Sequence, residues 1–116
     1  MVSTYLFFPP ADKSQDDIWR YSCGAWGEKQ AEKYIIGLHH HLQLLSKEKE
    51  IWRALPANLV VPQDLDLKVY FSQYEHHYLF FRELSIGAIG VMTILHEKSD
   101  MPVRLCEDLR KIGVVG

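Results

Sequence analysis

Residues 16–45, DDIWRYSCGAWGEKQAEKYIIGLHHHLQLL, decide the fold. Apolar residues recur at helical spacing: Ile18, Tyr21 and Ala25 first, then Ala31, Tyr34, Ile35, Leu38, Leu42 and Leu45. Steps of three and four place each set on one face of a helix. Gly24 and Gly27 supply the break, because glycine accepts the left-handed backbone just past a helix end. Trp26 between them is placed to fold back over both helices. Glu28 falls in the first turn of the second helix, where a negative charge faces unpaired N–H groups. So short a connection makes the two helices antiparallel. Their shared apolar face needs cover from the rest of the chain.

Upstream, Thr4–Phe8 is a β-branched and aromatic run ended by Pro9-Pro10, which reads as a first strand. Proline suits a helix start, and the helical pattern begins at Ala11. Gln15 interrupts it one turn before Ile18 and Trp19, as a partly exposed position would. The second helix is expected from about Glu28 to Lys47. Gly37 inside it is about 1 kcal/mol worse than alanine for helix formation, which implies a close approach, expected of the first helix. Ile51–Leu55 reads as one more turn before Pro56, and Ala57–Asp66 as a connecting loop.

From Leu67 the period changes from helical to alternating. Leu67–Tyr74 is one strand. His76–Leu84 is a second, with Tyr78 and Phe80 on one face and Leu79 and Phe81 on the other. Ala88–His96 is a third, apolar enough to be central. Short turns at Gln73–Glu75 and Ser85–Gly87 make this an antiparallel meander. Val103–Lys111 reads as a short C-terminal helix with Leu105 and Leu109 inward, and 113–116 as loose. The predicted class is α+β: an N-terminal strand, an antiparallel helix hairpin packed on a mostly antiparallel four-stranded sheet, and a short C-terminal helix. The first strand would lie beside the last.

The 116 residues are expected to form one domain, 1–116. Hydrophobic content of 47% and charged content of 24% are those of an ordinary globular chain. No apolar run approaches a membrane span of roughly 20 residues. The N-terminal MVSTYLFFPPADK lacks a signal peptide's basic flank and full apolar core, so a cytoplasmic location is expected. Cys23 and Cys106 form no CxxC pair, so neither a disulfide framework nor a zinc knuckle is indicated. A net charge of −2 argues against broad electrostatic capture of nucleic acid.

Three segments in order carry a resemblance to a known family. The first is Asp17-Ile18-Trp19-Arg20-Tyr21 followed by Trp26-Gly27-Glu28-Lys29-Gln30-Ala31-Glu32-Lys33-Tyr34. The second is His77-Tyr78-Leu79-Phe80-Phe81-Arg82. The third is Ile94-Leu95-His96-Glu97-Lys98 with Asp100. Together they resemble the ParE branch of the RelE/ParE toxins of type II toxin–antitoxin modules. The resemblance implies a growth-arresting toxin that binds DNA gyrase and is neutralised by a cognate antitoxin in a hetero-oligomer. It further implies that the antitoxin buries an apolar groove between hairpin and sheet, as a segment ordered on binding. The inhibitory surface is then expected in the C-terminal part, where Lys98, Arg104 and Arg110 lie. The chain departs from the family pattern at Ser14 and Gln15, where Asp and Leu are usual. It departs again at Thr93, where many members carry Arg, and at Ser99, where Met or Arg is common.

The other branch of that superfamily cleaves messenger RNA. Such a site needs a base, a proton donor and cations for the phosphate. The candidates here are Arg82, His96 and Lys98, with Arg104 nearby, but the acidic neighbours Glu83, Glu97 and Asp100 oppose phosphate attraction. A binding toxin is therefore the first reading, the nuclease the second, and a non-toxic antitoxin-binding member the third. His39-His40-His41 does not read as a metal site, because successive helical side chains point about 100° apart. No phosphate loop, GxGxxG or Ser-His-Asp pattern occurs, and no cofactor is expected. The aromatic surplus is more informative. Trp19 turns away from the face of Ile18, and Trp52 sits among charges; both are candidate partner-binding anchors.

Overall fold

The computed structural model describes residues 5–62, 68–84 and 88–115, the last three by backbone alone. Strand β1 (Tyr5–Phe7) leads into helix α1 (Pro9–Trp26) and helix α2 (Glu28–Lys47). A 3-10 turn (Lys49–Ile51) and strand β2 (Arg53–Ala54) follow. Strands β3 (Tyr70–Tyr74), β4 (His77–Glu83) and β5 (Ile89–His96) precede helix α3 (Met101–Val115). The sheet runs β1-β5-β4-β3-β2. Strand β1 is parallel to β5, and the other pairings are antiparallel. The α+β class holds, with the first strand beside the last.

The sheet has five strands where four were expected. The extra one is β2, in a stretch whose spacing suggested a helical turn. The turn ends at Ile51. The indole N–H of Trp52 then donates to the Leu45 carbonyl at 2.7 Å, and Arg53 and Ala54 pair with Phe71 and Tyr70. Thr4, Leu67, the turn at 85–87 and residues 63–66 of the expected loop lie outside the described residues.

Helix α1 turns a different face inward from the one expected. Ala11, Ile18 and Ser22 are buried, while Tyr21 and Ala25 face outward. Ile18 is followed inward by a four-residue step to the small Ser22, so Tyr21 swings away. Gly24 is helical; the break falls at Gly27 alone, at φ 90°. Its amide bonds the Cys23 carbonyl, and its own carbonyl accepts from Ala31, so one residue ends α1 and starts α2. On α2 the expected face is buried through Ala31, Tyr34, Leu38, Leu42 and Leu45. The element that crowds Gly37 is β3 rather than α1: a Cβ there would meet the Tyr74 hydroxyl.

Both faces of the sheet are covered. Leu79, Phe81, Ile89, Val91 and Ile94 pack beneath α1 and α2. Phe80, Met92 and Leu95 pack on the other side against Leu59 and the α3 residues Leu105, Leu109 and Ile112. Strand β4 alternates as its sequence reads. In β5, Phe80 pairs with Thr93 but Phe81 with Val91, so Met92 is the extra residue of a bulge. Helix α3 is longer than expected at both ends, starting at Met101 and reaching Val115. Pro102 fits its first turn, where an N–H would be unpaired anyway.

Candidate functional site

A cleft of about 570 Å³ opens where the hairpin tip overhangs one end of the sheet. Helix α1 contributes Ser14, Asp17, Ile18, Tyr21 and Ser22; Trp26 and Tyr34 close the tip. Its floor is made by His76, His77 and the end of β5, and its far wall by Glu97, Lys98, Ser99 and Arg104. The outward turn of Tyr21 is thus what builds one wall. Trp26 stacks edge-on against Tyr21 at 6.2 Å and lies 6.0 Å from Tyr34, joining the two helices through aromatic contact.

The floor is a packed group of imidazoles. The β3–β4 turn holds Glu75 at φ 51°, and the Glu97 amide donates to the His76 carbonyl at 2.8 Å. This closes the hairpin against β5 and pairs His77 with His96. Their rings meet edge-on at 5.1 Å, and His76 stacks over His96 at 6.4 Å. His96 Nδ1 accepts from the Lys98 backbone N–H at 3.1 Å, so the neutral ring carries its proton on Nε2. His76 Nδ1 bonds Glu97 Oε2 at 2.7 Å. The Tyr34 hydroxyl lies 2.6 Å from His77 Nδ1. Burial, reinforced by His96 and His76, lowers the His77 pKa to about 4. Burial pushes Tyr34 up to about 12. At neutral pH the contact therefore joins an un-ionised phenol, donating, to a neutral imidazole, accepting. Tyr34 is further held by Tyr74, whose hydroxyl donates to its carbonyl at 3.2 Å.

The residues singled out from sequence scatter into two groups. His96, Lys98 and Arg104 line the cleft. Arg82 does not: it pairs across from Gly90, six residues along β5 from His96, which is roughly 20 Å at strand spacing. There its guanidinium lies over the Phe8 ring at 5.3 Å. Trp52 packs against Tyr70 and Phe81 with its N–H bonded to the chain, so it covers the core. Trp19 is 40% exposed on α1, off the cleft wall. Arg110 is exposed on α3, also outside the cleft. Among the described residues no group of three or more His, Cys, Asp or Glu side chains is arranged to hold a metal. The cleft residues that sequence reasoning did not single out as anchors are Tyr21 and Trp26. Trp26 beside Gly27 at the hairpin tip was the available signal.

Comparison with known proteins agrees along nearly the whole chain. The family model described as "ParE toxin of type II toxin-antitoxin system, parDE" matches residues 5–101. Toxin ParE1 of Mycobacterium tuberculosis is 31% identical over 101 residues, spanning 87% of this chain and 96% of its own. Toxin ParE of Escherichia coli is 25% identical over 109 residues, spanning 94% of this chain and 99% of its own.

Proposed function

The chain belongs to the ParE toxin family of type II toxin–antitoxin systems, and on that basis we propose that it arrests growth by binding DNA gyrase, as one domain without chemistry of its own. A cognate antitoxin from the same module neutralises it by forming a hetero-oligomer. The observation that favours binding over messenger cleavage is the separation of the cations. Arg82 lies beside the opposite end of β5 from His96, so it does not join His96, Lys98 and Arg104 on one phosphate. A nuclease site needs base, acid and cation within hydrogen-bond reach of the same group.

Purified protein added to a supercoiling reaction is expected to inhibit gyrase, with relief on adding the antitoxin. No inhibition at large excess of toxin would remove gyrase as the target. The second reading, ribosome-dependent cleavage of messenger RNA, draws on His96, Lys98 and Arg104 sharing one cleft. Cleavage products in a translating extract, lost in His96→Ala, would establish it instead. Normal growth on induced expression, together with antitoxin binding, would mark a non-toxic family member. Among the described residues no helix is long and apolar enough to cross a membrane.

A further inference from the structure

We propose that the cleft beneath the hairpin tip binds a free nucleotide, its base on the aromatic wall of Tyr21 and Trp26 and its phosphates on Lys98, Arg104 and the imidazole N–H groups of His77 and His96. Such a site goes beyond the gyrase reading and does not depend on it.

The polar groups left free in the cleft are donors. Tyr34 donates to His77 Nδ1, and the Lys98 backbone N–H donates to His96 Nδ1, so each neutral ring carries its proton on Nε2. Neither Nε2–H has a partner among the described residues. Both reach solvent, because Arg82 Nε is the only buried side-chain nitrogen or oxygen left unpaired among those residues. Burial keeps His77 neutral near pH 7. Of the ionised side chains in the lining, Asp17 is paired with Lys13 at 3.3 Å, and Glu97 with His76 at 2.7 Å. Lys98 and Arg104 have no side-chain partner among the described residues. The Ser14 and Ser99 hydroxyls donate to backbone carbonyls. Two cations and two N–H donors therefore remain for a ligand. They call for an anion with several acceptor oxygens, and a phosphate has that form. The sequence has no phosphate loop, so side chains rather than a backbone cradle hold the anion.

The opposite wall suits a planar ring. Tyr21 is 68% and Trp26 48% exposed, yet both line a concave surface. Neither neighbour of the indole stacks parallel on it: Tyr21 meets it at 86° and Tyr34 at 43°. Exposed aromatic rings of this kind are the platforms on which nucleic-acid bases stack. The volume of about 570 Å³ falls among pockets that hold small molecules. Ring platform and cations stand on facing walls, as base and phosphate stand on either side of a ribose.

The test titrates the purified chain with ADP, GDP, CDP and UDP by calorimetry, with the matching nucleosides and inorganic phosphate alongside. At least one diphosphate is expected to bind with a Kd below about 100 μM. Its nucleoside and inorganic phosphate should each bind roughly tenfold or more weakly, because each meets only one wall. The double variant Lys98→Ala/Arg104→Ala should bring the diphosphate down to the affinity of its nucleoside. Tyr21→Ser, at an exposed position, and Trp26→Leu should each weaken the diphosphate several-fold and leave inorganic phosphate unchanged. Circular dichroism checks that each variant is folded. Absence of binding by all four diphosphates at about 1 mM overturns the proposal. Equal affinity of wild type and double variant overturns it as well. Inorganic phosphate binding as tightly as the best diphosphate would mark a plain anion site, with no part for the aromatic wall, and would also overturn it. A short single-stranded RNA that binds far more tightly than every mononucleotide would assign the cleft to a strand, overturning the free-nucleotide site in favour of the messenger reading.

Discussion

Ser14, Gln15, Thr93 and Ser99 each close a polar contact within the fold. Ser14 donates to the Pro10 carbonyl at 2.9 Å, and Ser99 to the His96 carbonyl at 2.6 Å. Gln15 Oε1 accepts from His39 Nε2, which leaves His39 Nδ1 to accept from the Tyr5 hydroxyl at 2.7 Å. One imidazole thereby ties β1, α1 and α2 together. Thr93 donates to Asp108 Oδ2 at 2.7 Å. The bulge at Met92 is what turns Thr93 toward α3. Asp108 is 7% exposed, and its other neighbour is Lys111 at 3.7 Å. Thr93→Val keeps the shape and removes the donor from a buried carboxylate. A loss of about 1.5–3 kcal/mol is expected, measured by urea unfolding; Thr93→Ser should recover most of it. The histidines give a pH dependence with a definite sign. His39, His41 and His77 are all lowered, with burial the leading cause. Each therefore takes up a proton more readily in the unfolded chain. Their contribution to stability is complete above about pH 6.5 and is lost as pH falls toward about 4, where folded His77 itself protonates. The range from about pH 7 to pH 5 falls inside the window set by these lowered histidines, and the urea midpoint is followed across it. The midpoint should fall with pH, and His77→Gln should flatten the fall. An unchanged slope in that variant would show that His77 does not drive it.

At the scale of elements, α2 is held to the sheet by polar contacts set among apolar ones. Tyr74 lies in the gap left by Gly37 and bonds the Tyr34 carbonyl, and His41 Nε2 lies 2.8 Å from Ser72 Oγ. The gap makes a prediction against helix propensity. In an isolated helix, Gly37→Ala would gain about 1 kcal/mol. Here the added methyl meets the Tyr74 hydroxyl, and the ring is too stiff to yield without losing its bond. Gly37→Ala should destabilise by about 1–3 kcal/mol, the usual penalty of overpacking. In a Tyr74→Phe background the same change should be much milder, and a double-mutant cycle measures the difference. Additive effects would show that the two positions do not compete for space. The same contact shows where sequence reading stops. Gly37 announced a close approach, but a glycine cannot name the element that approaches. Strand β4 was legible because Leu79 and Phe81 alternate with Tyr78 and Phe80 over enough residues to show a period. Strand β2 was not, because two residues have no period. On α1 both Tyr21 and Ser22 fit a helical step from Ile18, and hydrophobicity chose the larger one; packing against the sheet chose the smaller.

The molecule as a whole is a sheet enclosed between the hairpin and α3, and the cleft exists only because all of these layers meet at one end. Its lining runs from Ser14 to Arg104 in sequence, so no local pattern could have outlined it, although His96, Lys98 and Arg104 were each visible as basic groups. The layered arrangement also makes α3 more than an appendage. Leu105 and Leu109 are fully buried and Ile112 nearly so, all against Phe80, Met92 and Leu95. At about 1.5–3 kcal/mol per buried side chain, the three contribute roughly 5–9 kcal/mol as an upper bound. That is comparable with the roughly 5–15 kcal/mol stability of a typical domain. A chain ended after Asp100 would leave one face of β4 and β5 open to water, while the hairpin side stays covered. It is therefore expected to keep helical circular dichroism from α1 and α2, lose its cooperative melt, and bind a hydrophobic dye such as ANS. Leu109→Asp in the full chain should move in the same direction, because it inserts a charge into that layer without shortening the protein. A sharp melt close to that of the full chain in both variants would mean that the hairpin side alone sustains the fold.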